Sequence, residues 1–192
     1  MMDKTLSILE ALGGKPATSF HEGLVAESIM AILSNAGIEH EKDSYGNIIS
    51  KVLGSDRGGP AIAFVAHMDH PGFEIVSSEN SYAVASPLGG VPLASLEQST
   101  RAFSFNSEGE RVYCRLDPNP EGDERTVKVI SESPLKLGAP ITFDLGDFHV
   151  DHNYIRMRAL DDLGGCAAIL SSLEELKNLQ VVNDVYGIFT RA

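Results

Sequence analysis

The stretch Ala61-Ile62-Ala63-Phe64-Val65-Ala66-His67-Met68-Asp69-His70 decides the fold. It opens with an unbroken apolar run after the turn Gly58-Gly59-Pro60, a pattern typical of a buried strand in an α/β sheet. Residues two apart on a strand face the same side, so His67 and Asp69 are predicted to point in one direction. Ligands bind at strand ends in open α/β sheets, so the stretch predicts a site here.

His67 and Asp69 have the residue types of a metal site. An imidazole binds zinc or cobalt through one ring nitrogen, and a carboxylate can accept a hydrogen bond from the other, which fixes tautomer and direction. A partly buried histidine satisfied by a neighbouring aspartate explains the same pair without a metal. Because Pro71 disfavours continuation of the strand, His70 is interpreted as a turn residue that at most lines a pocket.

A second acidic pair, Asp161-Asp162, precedes Gly164-Gly165 and an apolar helical stripe. Aspartate is favoured at helix N-termini, so both carboxylates could be caps. Alternatively, one of them bridges two divalent ions about 3.5–4 Å apart, a task for which a carboxylate has two oxygens. The residues alone leave both interpretations open.

The segments before His67 have the pattern of helices, turns and strands that is typical of an α/β domain. Apolar residues at helical spacing predict a helix over residues 5–12, and Ser19 with Glu22 has the spacing of a capping box for a second helix. Residues 48–53 then predict a strand. This first part, residues 1–70, is interpreted as the start of a catalytic domain.

The middle of the chain has a different pattern of apolar and turn-forming residues. Over residues 71–154, short apolar stretches alternate with Gly, Pro, Ser and Asn, which is typical of a small β barrel or sandwich. A helical stripe and a strand over residues 184–190 follow in residues 155–192. The predicted fold class is therefore α/β, a doubly wound sheet interrupted by a small all-β, barrel-like insert.

Composition limits the function. The formal net charge is −12, from 27 acidic and 15 basic residues, which argues against binding nucleic acid through phosphates. No apolar stretch approaches the roughly 20 residues that span a bilayer, and no secretion signal is recognisable at the start. The cysteines, Cys114 and Cys166, are far apart in apolar settings, as expected for a reducing cytoplasm.

Five motifs in order resemble the glutamyl/deblocking aminopeptidase family, whose members are two-metal peptidases that form tetrahedral shells and are in part labelled cellulase or endoglucanase. The motifs are Ser19-Phe20-His21-Glu22, Asp43-Ser44-Tyr45-Gly46-Asn47, Ala66-His67-Met68-Asp69, Ala159-Leu160-Asp161-Asp162 and Ile188-Phe189-Thr190. The resemblance spans essentially the whole chain, including the position of the insert.

The resemblance implies a role for each of these residues. His67 would bind one metal, Asp69 would orient His67, and Asp161 would bridge two divalent ions, zinc or cobalt. The peptide bond from Asp161 to Asp162 would be cis. Peptides would be the substrates, cleaved at the N-terminus, and the β insert would join subunits into a homo-oligomer.

The chain departs from the family in several places. Position 70 is His where an acidic residue is frequent, and position 163 is Leu where Arg is frequent. Family members continue after the Phe-Thr strand with a Glu-Glu pair, the general base and a ligand, and later with another acidic ligand and a histidine. The chain ends at Ala192, so we expect an incomplete enzyme that is inactive by itself.

Other functions fit parts of the same pattern. A non-catalytic, oligomerising protein of the same fold is the main alternative. A carboxypeptidase or deacylase would use similar two-metal chemistry. A glycosidase needs two suitably spaced carboxylates and usually aromatic surfaces, and the sequence has no Trp.

Overall fold

A computed structural model of the chain describes residues 2–56, 58–78, 82–92, 96, 99–106, 108, 110–119 and 125–192. The chain forms two compact units. The first unit combines Met1–Asp69 with Asp147–Ala192, and the second is His70–Gly146.

In its described residues the first unit contains three helices and six strands. They are α1 (Met2–Gly13), α2 (Gly23–Asn35), β1 (Glu39–Lys42), β2 (Ile48–Val52), β3 (Ile62–His67), β10 (His149–Asp151), β11 (Tyr154–Arg156), α3 (Leu160–Lys177) and β12 (Val185–Thr190). The second unit contains β4 (Gly72–Ser78), β5 (Ala83–Leu88), β6 (Thr100–Phe105), β7 (Arg111–Pro118), β8 (Val127–Ser131) and β9 (Pro140–Phe143).

Four strands of the first unit form a sheet in the order β1-β2-β12-β3. Strands β12 and β3 are parallel, and the other pairs are antiparallel. Thr190 at the end of β12 lies opposite His67 at the end of β3, and the Thr190 carbonyl accepts the amide of Met68 at 2.9 Å. The parallel pairing therefore brings both carboxyl ends to one edge of the sheet.

Strand β3 forms as predicted, but the prediction that it is buried is wrong. Ile62, Phe64 and Val65 are exposed to 49%, 45% and 60%. Among the described residues β3 ends the sheet, with β12 as its one neighbouring strand. An apolar run indicates that a strand is suited to burial. Whether the strand is buried depends on the elements that pack beside it, and the residues of β3 from Ile62 to Val65 are left exposed.

Helix α3 covers part of the sheet and contributes to the core of the first unit. Cys166, Leu170 and Leu173 are buried there with Leu33 of α2 and Phe189 of β12. The apolar stripe seen in the sequence is therefore the inner face of α3. No helix in the described part of the chain combines the length and apolar character that crossing a bilayer requires.

The six strands of the second unit close into a barrel in the order β4-β5-β8-β7-β6-β9, with antiparallel pairing throughout. The choice between barrel and sandwich is thereby resolved, and the predicted α/β fold with a barrel-like insert is confirmed. The apolar stretches of the sequence at residues 73–76, 82–85, 111–115, 126–130 and 141–143 fall on five of these strands, and β6 was not predicted. Residues 149–156, whose start it assigned to the insert, form the β10–β11 hairpin of the first unit.

The predicted capping box is wrong. Helix α2 begins at Gly23 and its N-cap position, Glu22, makes no side-chain capping hydrogen bond. The side chains of Ser19 and Glu22 bond elsewhere, because the left-handed backbone at Phe20 (φ 70°) makes a tight turn before the helix.

Candidate active site

His67 lies at the end of β3 with oxygen atoms at both ring nitrogens. Its Nδ1 is 3.0 Å from the carbonyl oxygen of Asp69 and 3.1 Å from the Oδ1 atom of the same residue. Its Nε2 is 3.2 Å from Oδ1 of Asp161. Because Nδ1 faces two acceptors of Asp69, the proton of the neutral ring is assigned to Nδ1, which leaves the lone pair on Nε2.

These contacts control the charge of the imidazole. Burial lowers the pKa of His67, but the hydrogen bond to the Asp69 carbonyl, the negative charge of Asp69 and the contact with Asp161 outweigh it, and the pKa is raised above 6.5. The His67 side chain remains 42% exposed. The ring is thus held by protein on one side and open to solvent on the other.

The two aspartates in the first turn of α3 have different environments. Oδ1 of Asp162 accepts the amide of Gly165 at 3.0 Å, so this side chain caps the regular part of the helix, which starts after the kink at Asp161 and Asp162. The side chain of Asp161 is 95% exposed and reaches His67. The peptide bond between them is cis, and both residues have non-helical backbone angles. Of the two interpretations of the pair, capping applies to Asp162 alone.

His70 belongs to the second unit and is buried. Its Nδ1 is 3.0 Å from the carbonyl oxygen of the following Pro71. His70 lies in a β-bridge and not in a turn, so the turn-residue interpretation is wrong.

Ser19 belongs to the same cluster, although the sequence analysis placed it at a helix cap. Its hydroxyl donates to Oδ2 of Asp69 at 2.5 Å, and Ser19 is almost fully buried. No local pattern links two residues fifty positions apart, and the signal that pointed to Ser19 was its place in the first of the five motifs of the family resemblance.

The turn that carries Ser19 is fastened to the end of β12. The buried carboxylate of Glu22 accepts Nε of Arg191 at 2.8 Å and the amide of Phe20 at 2.8 Å. The Arg191 guanidinium also donates to the carbonyl of Phe20 at 2.7 Å. A second motif, the turn at Asp43, joins the same edge because Oδ1 of Asn47 accepts the amide of Arg191 at 2.9 Å.

Cys166 of α3 contacts the backbone of His67. Its thiol lies 3.4 Å from the carbonyl oxygen of His67, and burial raises the pKa of Cys166 to about 12. Cys166 therefore packs α3 against the end of β3.

The donor set fits part of a metal site. A histidine nitrogen and a carboxylate oxygen are ligands that zinc accepts, but zinc sites in proteins have three or four protein ligands. Within the described ranges, no group of three or more His, Cys, Asp or Glu side chains is placed to hold one ion. His67 and Asp161 therefore make at most a partial site.

Comparison with known proteins was made by family, by sequence and by structure. No family model matches the chain. A curated protein of Acetivibrio thermocellus, whose name assigns it provisionally as an aminopeptidase, is 23% identical over 198 aligned residues, which cover 95% of this chain and 57% of that protein. The chain thus spans little more than half the length of this relative.

Solved structures give the same picture. An aminopeptidase of the archaeon Desulfurococcus kamchatkensis superposes with a TM-score of 0.83 at 20% identity, over 99% of this chain and 56% of its own. The TET1 peptidase of Pyrococcus horikoshii, which assembles into a tetrahedron or an octahedral shell, superposes with a TM-score of 0.80 at 20% identity, over 97% and 61%. The chain has the fold of the TET aminopeptidases. At this level of identity the likeness establishes fold, and the predicted resemblance is confirmed in that sense.

Proposed function

We propose that this chain forms part of a metal-dependent aminopeptidase that removes N-terminal residues from peptides at a two-metal site. The observation that carries the proposal is the 3.2 Å approach of His67 Nε2 and Asp161 Oδ1 at the carboxyl end of β3. Two residues far apart in sequence meet where α/β sheets bind ligands, in a fold shared with aminopeptidases.

Each residue of the cluster has a proposed role. His67 would bind one ion through Nε2, and Asp161, with both oxygens exposed to solvent, would bridge to a second. Asp69 holds the ring by Nδ1 and thereby keeps the lone pair on Nε2. When bound, divalent ions of this kind polarise a carbonyl and lower the pKa of bound water to about 7.

We further propose that the remaining ligands and the general base are supplied by polypeptide that corresponds to the unmatched part of the relatives. Among the described residues two donors are in place, His67 and Asp161, where zinc needs three or four. It should therefore bind zinc or cobalt weakly and hydrolyse peptides at no useful rate by itself.

Assembly and location belong to the same proposal. The Pyrococcus horikoshii relative is a shell-forming peptidase, and we propose that this chain forms a homo-oligomer through its barrel, residues 70–146. Both cysteines are unpaired thiols, which supports a location in the reducing cytoplasm.

The test compares two polypeptides. The purified 192-residue chain is assayed with cobalt or zinc on an aminoacyl anilide, and we expect no metal-dependent release. The DNA downstream of the Ala192 codon is then read, and any longer product is assayed in the same way. We expect metal-dependent release that His67→Ala abolishes and that His152→Ala, at a histidine whose side chain is 91% exposed, leaves intact. A longer product without such activity would overturn the proposal.

A non-catalytic oligomerising protein is the second candidate. It is favoured by the lack, within the described residues, of a third metal-ligating side chain beside His67 and Asp161. A stable oligomer of the chain with metal content near zero, together with a stop codon directly after Ala192, would support this candidate over the enzyme.

A further inference from the structure

We infer that Ser19 is a positioning residue for His67 and acts through the carboxylate of Asp69. Two hydrogen bonds connect the three side chains. The Ser19 hydroxyl donates to Oδ2 of Asp69 at 2.5 Å, and Oδ1 of the same carboxylate faces Nδ1 of His67 at 3.1 Å. The inference deepens the proposed function, since a fixed imidazole matters when Nε2 must meet a ligand.

The carboxylate of Asp69 needs a second contact to keep its direction. The terminal torsion of an aspartate is broad, so a carboxylate bonded through one oxygen can swing. Ser19 removes this freedom by holding the other oxygen, and its hydroxyl is buried with the rest of the residue. With both oxygens engaged, the plane of the carboxylate is set toward Nδ1 of His67.

Ser19 is itself placed by a rigid turn. The amide of His21 donates to the carbonyl of Thr18 at 2.8 Å. Phe20, in the left-handed region, donates its amide to Glu22 and accepts the Arg191 guanidinium at its carbonyl. The turn is therefore fastened from both sides to the end of β12, the strand that lies beside His67 in the sheet.

The side-chain contacts of Ser19 and Glu22 also support a positioning role. Ser19 and Glu22 have the types and the spacing to cap α2, yet the helix starts without a side-chain cap. Both side chains instead bond to residues at the carboxyl edge of the sheet, Ser19 to Asp69 and Glu22 to Arg191. Neither side chain caps the helix, and each makes a hydrogen bond at the edge of the sheet that carries His67.

The experiment reads the ring of His67 directly, without a metal. The ring nitrogens are observed by 15N NMR at about pH 8.5, where histidine is largely neutral, and His67→Gln assigns the signals. In the wild-type chain we expect the Nδ1–H tautomer. Ser19→Ala leaves the Asp69 carbonyl beside Nδ1 but frees the carboxylate, so part of the ring population should move toward the Nε2–H form that an unrestrained imidazole prefers. Ser19→Thr, which keeps the hydroxyl, should restore the Nδ1–H form.

Ser50→Ala is the matched control. Ser50 is also a fully buried serine with one hydrogen bond, from its hydroxyl to the Gly187 carbonyl at 3.0 Å, and that bond does not involve Asp69. It should lower stability as Ser19→Ala does and leave the tautomer unchanged. If Ser19→Ala does not fold, Ser19→Cys, with a similar shape and a weak donor, replaces it. An unchanged His67 tautomer in the folded Ser19 variant would overturn the inference.

The outcome is separable from that of the proposed function. In a longer product with metal-dependent activity, Ser19→Ala should weaken cobalt binding by about 10-fold or more, as for other residues that orient a ligand. A shifted tautomer with no hydrolytic activity in the longer product leaves the positioning role standing and removes the enzyme. Hydrolytic activity in the longer product with an unchanged His67 tautomer supports the enzyme and removes the positioning role of Ser19.

Discussion

His67 is a single residue whose charge is coupled to folding. Acceptors from Asp69 and Asp161 favour the imidazolium, and its pKa in the folded chain is raised above 6.5. A histidine with a raised folded pKa contributes stability that is fully present below its unfolded pKa and is lost as the pH rises through the folded value. His67 should therefore raise the free energy of unfolding of the chain in mildly acidic buffer.

We expect this gain to disappear in His67→Gln, which cannot take up a proton. The difference in free energy of unfolding between wild type and variant should be larger at about pH 5.5 than at about pH 8.5. Urea unfolding at both pH values measures it. A difference that grows toward high pH would contradict the assignment of the charge interactions at this residue.

Gly54 gives a second prediction at the residue scale. A Cβ at this position would lie 2.3 Å from the carbonyl oxygen of Val182 and 2.4 Å from the carbonyl carbon of Asn183. These are backbone atoms, which cannot turn aside as a side chain can. Gly54→Ala should destabilise the chain by about 1–3 kcal/mol, the usual cost of overpacking.

Gly23→Ala is the control for this change. Gly23 opens α2, and a Cβ there meets nothing within 4 Å. The substitution should be neutral or stabilise by about 0.4–1 kcal/mol, because alanine restricts the unfolded chain. Thermal unfolding of both variants tests the pair, and equal losses would refute the steric argument.

At the scale of elements, β3 is the strand with the most unusual surroundings. It is apolar on both faces, yet its side chains from Ile62 to Val65 are exposed, and in the described residues it forms one edge of the sheet. An exposed apolar edge is a template for pairing with another chain. Apart from the oligomer proposed through the barrel, non-specific association of the 192-residue chain should therefore run through this strand.

Val65→Lys should reduce that association. A charged side chain on an edge disfavours a second strand, and Val65 is 60% exposed, so the cost in stability should stay within about 0.5 kcal/mol. Light scattering as a function of concentration measures the effect. Leu179→Lys, at an exposed apolar residue outside both the strands and the barrel, is the control. Equal scattering by both variants would exclude β3 as the contact.

The elements also differ in how well the sequence predicted them. Helix α3 and strand β12 were predictable because their apolar spacing coincides with a buried face. Strand β1, Glu39–Lys42, has no apolar residue, since it is an outer strand paired with β2 alone. Its formation depends on the partner that offers hydrogen bonds and not on its own pattern.

At the scale of the whole molecule, the order of motifs predicted the fold better than it predicted contacts. The barrel insert and the pairing of His67 with Asp69 followed from local patterns. The hydrogen bond from Ser19 to Asp69 did not, because it depends on the turn at Phe20 and on the anchoring of Glu22 by Arg191. A capping box and this turn use the same residue types, so three-dimensional placement alone separates them.

The buried thiol of Cys166 gives the protein an internal reporter. The thiolate is the form of cysteine that attacks an alkylating reagent. The thiol of Cys166, buried on the inner face of α3 with a pKa of about 12, supplies almost none. Modification must then wait until the helix moves away from His67, so the labelling rate of Cys166 measures how often this edge of the sheet opens. Any compound or added segment that seals that edge would slow the reaction, which turns a routine mass measurement into a binding assay.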